Sequence, residues 1–245
     1  ITHSSGNHAQ ALALAAKLRG IPAHIIMPDN APEVKKAAVA GYGAQITFCE
    51  PTLAAREAAA DAVICETGGM LIHSYNDPRI IAGQGTAALE LFEDVPDLDM
   101  VIAPVGGGGL MSGTAIAVKS VAAHVRVFGA EPAGADDAAQ SFHRREFVPS
   151  CDPNTIADGL LTSLGDITFP ILLELLDDIV TVDDDAILRA MRLVWERMKI
   201  VIEPSAAVPV AALLERAIDI EGRRVGVILS GGNVDLAKLA RLLAP

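Results

Sequence analysis

Aromatic side chains make up only 4% of this chain, although its hydrophobic fraction is 51%. A core so poor in rings has to be assembled from Ala, Val, Leu and Ile, the composition of helix-covered parallel sheets, so an α/β fold is expected. Positive charge is also in short supply. Nineteen Lys and Arg face 31 Asp and Glu, a formal net charge of −12, which argues against nucleic acid or an anionic membrane surface and leaves small molecules as partners. The 3 cysteines, Cys49, Cys65 and Cys151, are odd in number and widely spaced; they fit neither a disulfide framework nor a zinc site and read as reduced thiols of a cytoplasmic protein. No apolar run approaches the roughly 20 residues of a membrane span, and Ile1-Thr2-His3 resembles no secretion leader. A soluble protein is expected. The opening residues read as the tail of a strand, and hence as an internal start.

Strand and helix signals alternate along most of the chain. Helices are expected over Ala9–Arg19, Ala31–Ala40 (opened by Pro32), Thr52–Glu66, Ile80–Phe92, Leu110–Val121, Asp136–His143, Ile171–Leu176, Asp184–Met198, Ala206–Leu214 and Val234–Leu243. Strands are expected over Ala23–Met27, Ala44–Phe48, Leu71–His73, Met100–Val105, Val125–Ala130, Ile179–Val182 and Val225–Leu229, with an irregular excursion over Arg144–Asn154. This alternation calls for parallel, helix-covered sheets whose ligands gather at the carboxyl ends of the strands. Asn76-Asp77-Pro78 interrupts the pattern, which suggests a small domain over 1–76 and a larger one over 77–245.

The most informative stretch is the strand Met100–Val105 running into Gly106, Gly107, Gly108 and Gly109 and then into a helix. Residues without a Cβ let the backbone close around an anion, and the helix that follows presents unpaired N–H groups and the positive end of its dipole. A phosphate cradle is the preferred reading over a merely flexible turn. Ser4-Ser5-Gly6-Asn7-His8 lies at another strand end; alone it is what a helix N-cap looks like.

These two turns, taken in order with the strand-terminal Ser230-Gly231-Gly232-Asn233, resemble the fold-type II pyridoxal-phosphate enzymes, the tryptophan synthase β-like family. Ile81-Ala82-Gly83-Gln84-Gly85-Thr86, Glu131-Pro132-Ala133-Gly134-Ala135-Asp136-Asp137 and Ile156-Ala157-Asp158-Gly159 bring the resemblance nearest to its serine racemase and serine/threonine dehydratase group. The resemblance spans essentially the whole chain. It implies two open, mostly parallel sheets, in a small and a large domain with the cofactor between them, the N-terminal part of the fold lying outside this chain. It further implies a PLP-dependent lyase or isomerase acting on small hydroxy-amino acids.

The site residues follow from the same resemblance. Gly106 to Gly109 and Leu110 hold the cofactor's phosphate, Asn7 the ring 3-oxygen, and Gly159 and Glu203 lie beside the ring. Ser230 faces the pyridine nitrogen, where a hydroxyl does not hold the ring protonated as a carboxylate would. Ser4, Asn7, His8 and Arg56 grip the substrate carboxylate, and Ser5 is the acid/base on the face opposite the Schiff-base lysine. Glu131, Ala135 and Asp137 match a site for Mg²⁺ or Ca²⁺, with Mn²⁺ a further candidate; a helix start rich in acidic residues is the competing explanation. The family's lysine precedes the Ser-Ser-Gly-Asn turn and therefore falls upstream of Ile1. A homodimer, with the nucleotide effector some racemases carry, is also implied. Two alternatives stay open: β-replacement of the cysteine synthase type, which His8 disfavours, and a non-catalytic ligand-binding fragment.

Overall fold

A computed structural model describes residues 1–4, 6–31 and 33–236. The chain divides into two compact units, Ile1–Ser74 and Tyr75–Val234. The first holds β1 (Thr2–His3), α1 (Asn7–Arg19), β2 (His24–Pro28), α2 (Glu33–Gly41), β3 (Gln45–Cys49) and α3 (Leu53–Thr67). Its strands are parallel in the order β1-β2-β3. Because successive strand residues face opposite ways, β2 feeds both layers. Ile25 and Met27 pack with Ala9 and Ala13 of α1 and Val39 of α2, while Ile26 packs with Ala60 and Val63 of α3. Burying each such large side chain stabilises the fold by about 1.5–3 kcal/mol. Gly20 and Gly68, both left-handed, end α1 and α3.

Leu71–His73 does not form the expected strand. The Ile72 N–H reaches the Ile1 carbonyl at 2.7 Å, but the Ile72 carbonyl is taken by the Thr2 hydroxyl, also at 2.7 Å. With the Met70 carbonyl accepting the Ile1 amino group at 2.8 Å, the segment keeps two ladder-like bonds to Ile1, and its next carbonyl is met by the Thr2 side chain and not by a backbone N–H of β1. Pro32 and the expected terminal helix beyond residue 236 lie outside the described residues.

The second unit holds α4 (Pro78–Asp94), β4 (Met100–Pro104), α5 (Gly109–Val121), β5 (Arg126–Pro132), α6 (Asp137–Arg144), α7 (Thr168–Leu175), β6 (Asp178–Val182), α8 (Asp184–Met198), α9 (Pro204–Leu214) and β7 (Val225–Val227). Its sheet runs β6-β5-β4-β7, again all parallel. Val101, Ala103 and Val105 join Met111, Ala115 and Val118 of α5 in the main core, with Ala88 and Phe92 of α4; α9 packs against β4, β5 and β6. Helices α4 and α5 meet backbone to backbone. A Cβ on Gly85 would lie 2.8 Å from the Gly113 carbonyl oxygen, and one on Gly113 would lie 2.6 Å from the Gly85 nitrogen and collide with the Ile81 carbonyl. No helix among the described residues is long and apolar enough to cross a membrane.

Asp77 starts α4. Its carboxylate accepts the Arg79 N–H at 2.8 Å and the Arg79 guanidinium at 3.0 and 2.6 Å. The side-chain bond to Arg79, and then the backbone one, hold the Asp77 carboxyl at about 2, below its usual 3.8. Asp77→Ala is expected to cost about 1 kcal/mol, the value of a lost N-cap. Because the folded-state pKa is depressed, this contribution is full above about pH 4 and fades as pH falls toward 2. The difference between wild-type and variant urea midpoints, measured at pH 7 and pH 2.5, should therefore shrink in acid. A constant difference would show that the cap acts without its charge.

Candidate functional site

In the first unit, β1 delivers the chain directly to the start of α1. The Ser4 N–H is held by the Ile26 carbonyl at 3.1 Å, and the Ser4 hydroxyl accepts the Gly6 N–H at 3.3 Å. Gly6 stands at the N-cap and has no side chain of its own to cap the helix. The start of α1 carries the positive end of the helix dipole. The Nζ of Lys35, on α2, lies 3.8 Å from where a Cβ on Gly6 would sit. Asn7 is exposed at the first helical position. Ser5 lies outside the described residues.

His8 is half-buried and its Nε2 lies 3.4 Å from the Ile72 carbonyl. Burial pushes its pKa down, with smaller opposing help from the Ile72 carbonyl. A neutral ring donating Nε2–H to a carbonyl offers a lone pair at Nδ1. His3 meets His73 edge to face at 5.9 Å, and burial, followed by the Arg56 charge, lowers its pKa. Arg56, on α3, donates its Nε to the Thr52 carbonyl at 3.3 Å, and its charge helps to lower the pKa of His3 and works against the burial that raises that of Cys49. Ser4, Asn7, His8 and Arg56 all lie in the first unit.

In the second unit, β4 ends in the glycine loop. Gly106 to Gly109 are buried, yet the N–H groups of Gly106 through Met111 find no acceptor among the described residues. Buried N–H groups without partners are costly. A run of them at a helix start is what an anion-binding loop looks like before its anion is counted. The loop also depends on missing Cβ atoms. Gly108 has φ 86° and caps α5, and a Cβ there would lie 2.8 Å from Thr168; one on Gly107 would collide with the Tyr75 ring, and one on Gly106 would come within 3.0 Å of Leu160. Gly159 precedes that leucine, and its N–H is held by the Ser205 hydroxyl at 3.0 Å. Glu203, 2% exposed, stands at the N-cap of α9, and its N–H donates to the Gly231 carbonyl at 3.0 Å, next to the exposed Ser230. The structure thus gathers Gly106 with Gly159, and Glu203 with the Ser230 turn. Tyr75, Leu160, Thr168 and Ser205 were not nominated by sequence; only Tyr75, directly before Asn76-Asp77-Pro78, carried a signal.

Glu131 and Asp137 form a further feature of this unit. The Glu131 side chain is fully buried, and its carboxyl oxygens accept the Ala138 and Ala139 N–H groups at 3.1 and 2.8 Å, so it caps α6 as the competing explanation requires. Burial nonetheless pushes Glu131 up to about 9. Asp137 is 4% exposed, and neither of its carboxyl oxygens has a hydrogen-bond partner among the described residues. Burial raises Asp137 to about 6, and the Ser150 hydroxyl is near enough to pull it back without meeting hydrogen-bond geometry. Two buried carboxyls, one of them orphaned, thus lie near the three-residue turn Ala133–Ala135. Among the described residues no three His, Cys, Asp or Glu side chains converge to hold a metal by themselves. A separate cavity of about 430 Å³ lies between α6 and β6, lined in part by Asp136, His143, Arg144 and Asp178, and contains none of the nominated residues.

Residues 1–231 match the family described as Pyridoxal-phosphate dependent enzyme. A serine racemase from Dictyostelium discoideum is 50% identical, over 99% of this chain and 76% of the relative. A beta-hydroxyaspartate dehydratase from Paracoccus denitrificans (strain Pd 1222) is also 50% identical, over 97% of this chain and 76% of the relative. Among solved structures, a maize serine racemase superposes with a TM-score of 0.94 at 47% identity, over 99% of this chain and 75% of that one.

Proposed function

Because this chain belongs to the pyridoxal-phosphate dependent enzyme family, we propose that it acts on small hydroxy-amino acids as a serine racemase, a serine/threonine dehydratase, or both. The observation that carries this reading is the buried glycine loop with its unpartnered N–H groups, in a chain half identical to a racemase and a dehydratase. When bound, pyridoxal phosphate supplies the electron sink that lets a proton leave the substrate's α-carbon. The Gly106 to Gly109 backbone and Leu110 hold its phosphate. Gly159, Glu203 and Ser230 border its ring. In the first unit, the start of α1 with Ser4, Asn7 and His8 binds the substrate carboxylate, assisted by Arg56, and Ser5 moves a proton at the α-carbon. In this proposal the lysine that carries the cofactor lies upstream of Ile1. The presence of 3-hydroxyaspartate among the substrates is supported by the dehydratase relative. A homodimer and a nucleotide effector remain part of the proposal.

The test uses the full-length protein with L-serine, L-threonine and 3-hydroxyaspartate, followed by borohydride reduction and peptide mapping. Visible absorbance of bound cofactor, keto-acid or D-serine formation, and a pyridoxyl-lysine upstream of Ile1 are expected. Absence of both absorbance and turnover would leave the ligand-binding alternative; a single pyridoxyl-lysine within this chain would move the lysine.

Glu131, Asp137 and the Ala135 carbonyl are proposed to hold Mg²⁺ or Ca²⁺, which would supply the missing partner of the Asp137 carboxylate. A cation that binds only the native state stabilises it by mass action, by about 2.7 kcal/mol at a hundredfold excess over its Kd. Either cation should therefore raise the melting temperature by several degrees, and Asp137→Ala should remove the response. Identical melting with cation and with chelator would refute the site.

A further inference from the structure

We infer that Thr168, set in place by Asn76, is the residue that orients the glycine loop for its anion. This inference rests on the proposed cofactor. Thr168 opens α7 and is completely buried, in a setting that includes the partly buried Phe169 and the buried Leu164 and Leu172. A valine would fill the same volume without burying a hydroxyl. The hydroxyl is used twice: it accepts the Gly165 N–H at 2.8 Å and donates to the Gly107 carbonyl at 2.8 Å, the Gly165 carbonyl being a poorer acceptor at 3.3 Å.

The bond to Gly107 decides which way the loop faces. The Gly107 carbonyl and the Gly108 N–H belong to one planar trans peptide, so they point in opposite directions. Fixing that carbonyl on Thr168 turns the Gly108 N–H to the other side of the loop, where it finds no acceptor among the described residues. A phosphate needs donors only, and a carbonyl rotated inward would repel it. Thr168 prevents that rotation. The left-handed Gly108, whose missing Cβ gives Thr168 room, permits so close an approach.

Asn76 holds the turn that carries Thr168. Its Oδ1 accepts the Ile167 N–H at 3.0 Å and its Nδ2 donates to Asp166, while a Cβ on Gly165 would collide with its amide. Tyr75, the preceding residue, covers Gly107 with its ring and Gly109 with its backbone. The 75–76 segment, the 165–168 turn and the glycine loop therefore form a closed circuit within the second unit.

Full-length apoprotein is titrated with pyridoxal phosphate and with pyridoxal, which carry the same ring and aldehyde and differ in the phosphate. Melting of each apoprotein reports its folding. Thr168→Val is expected to weaken pyridoxal phosphate about tenfold, the scale of one misdirected buried hydrogen bond, and to leave pyridoxal within about twofold on the same scale. Thr168→Ser should restore the preference, and Asn76→Ala should lower it in the same phosphate-selective way. Equal weakening of both ligands by Thr168→Val, or a serine variant as impaired as the valine, would show that Thr168 only supports the fold. If the valine variant does not fold, Asn76→Ala decides: a reduced phosphate preference supports the inference and an unchanged one overturns it. Wild-type protein that binds both ligands equally would remove the cofactor reading, and this inference with it.

Discussion

Ser5→Ala should reduce D-serine formation from L-serine by at least about a hundredfold, the lower end of what a general acid/base contributes, while L-serine dehydration changes only a few-fold. The asymmetry comes from geometry at the α-carbon. Inversion requires a proton to leave one face and another to arrive on the opposite face, so it needs a group on each side. Elimination of the β-hydroxyl requires proton removal from one face only. The lysine proposed upstream of Ile1 serves one side, and Ser5, between Ser4 and the start of α1, is the candidate for the other. Chiral chromatography of serine and a keto-acid assay on the same sample would measure the two fluxes together. Equal loss of both would assign Ser5 to holding the turn.

Gly113→Ala should destabilise the protein by roughly 2–3 kcal/mol, as overpacking of a dense interior does. Two effects compete. Alanine favours a helix over glycine by about 1 kcal/mol, which alone would make the substitution stabilising. Against it stands a new methyl group driven into the Ile81 carbonyl and 2.6 Å from the Gly85 nitrogen. Both obstacles are backbone atoms of α4 and cannot rotate away, so the collision wins. Gly83→Ala is the control: Gly83 is exposed on the same helix, and a Cβ there meets nothing within 4 Å, so that change should stabilise by up to about 1 kcal/mol. Urea midpoints moving in opposite directions are expected. Movement in the same direction would mean that the close contact of α4 with α5 does not limit stability.

Much of the architecture was legible because helix and strand punctuation is local. Gly20 and Gly41, which directly follow the helices expected over Ala9–Arg19 and Ala31–Ala40, stand at helix ends in the structure as well. The glycine loop was legible for the same reason, since Gly106 to Gly109 follow a strand and open a helix. Leu71–His73 was misread because apolar character cannot reveal that its pairing stops at Ile1 and that the Ile72 carbonyl turns to the Thr2 hydroxyl, 70 residues away. Thr168 was missed for a related reason: it touches Gly107 across 61 residues, inside an apolar stretch where a threonine looks like filler. The Glu131 and Asp137 pair stood out through family resemblance, but which carboxyl lacked partners emerged only from packing.

Every strand pairing described is parallel, and this has a consequence for how the chain reaches its native state. A hairpin can zip up from its turn, whereas a parallel pair must wait for a crossover to close. The longest wait belongs to β7, which pairs with β4; its approach is anchored by an Arg224 N–H to Asp99 bond spanning 125 residues. Closing so long a loop costs entropy before any contact rewards it, and sheets built this way fold slowly. During synthesis at about 5–20 residues per second, β4 emerges many seconds before the strand that covers its flank. For that interval the fully buried edge Val101-Ile102 is an open template for another chain. Refolding at low protein concentration should therefore give a higher yield than at high concentration, a kinetic burden built into the sheet order.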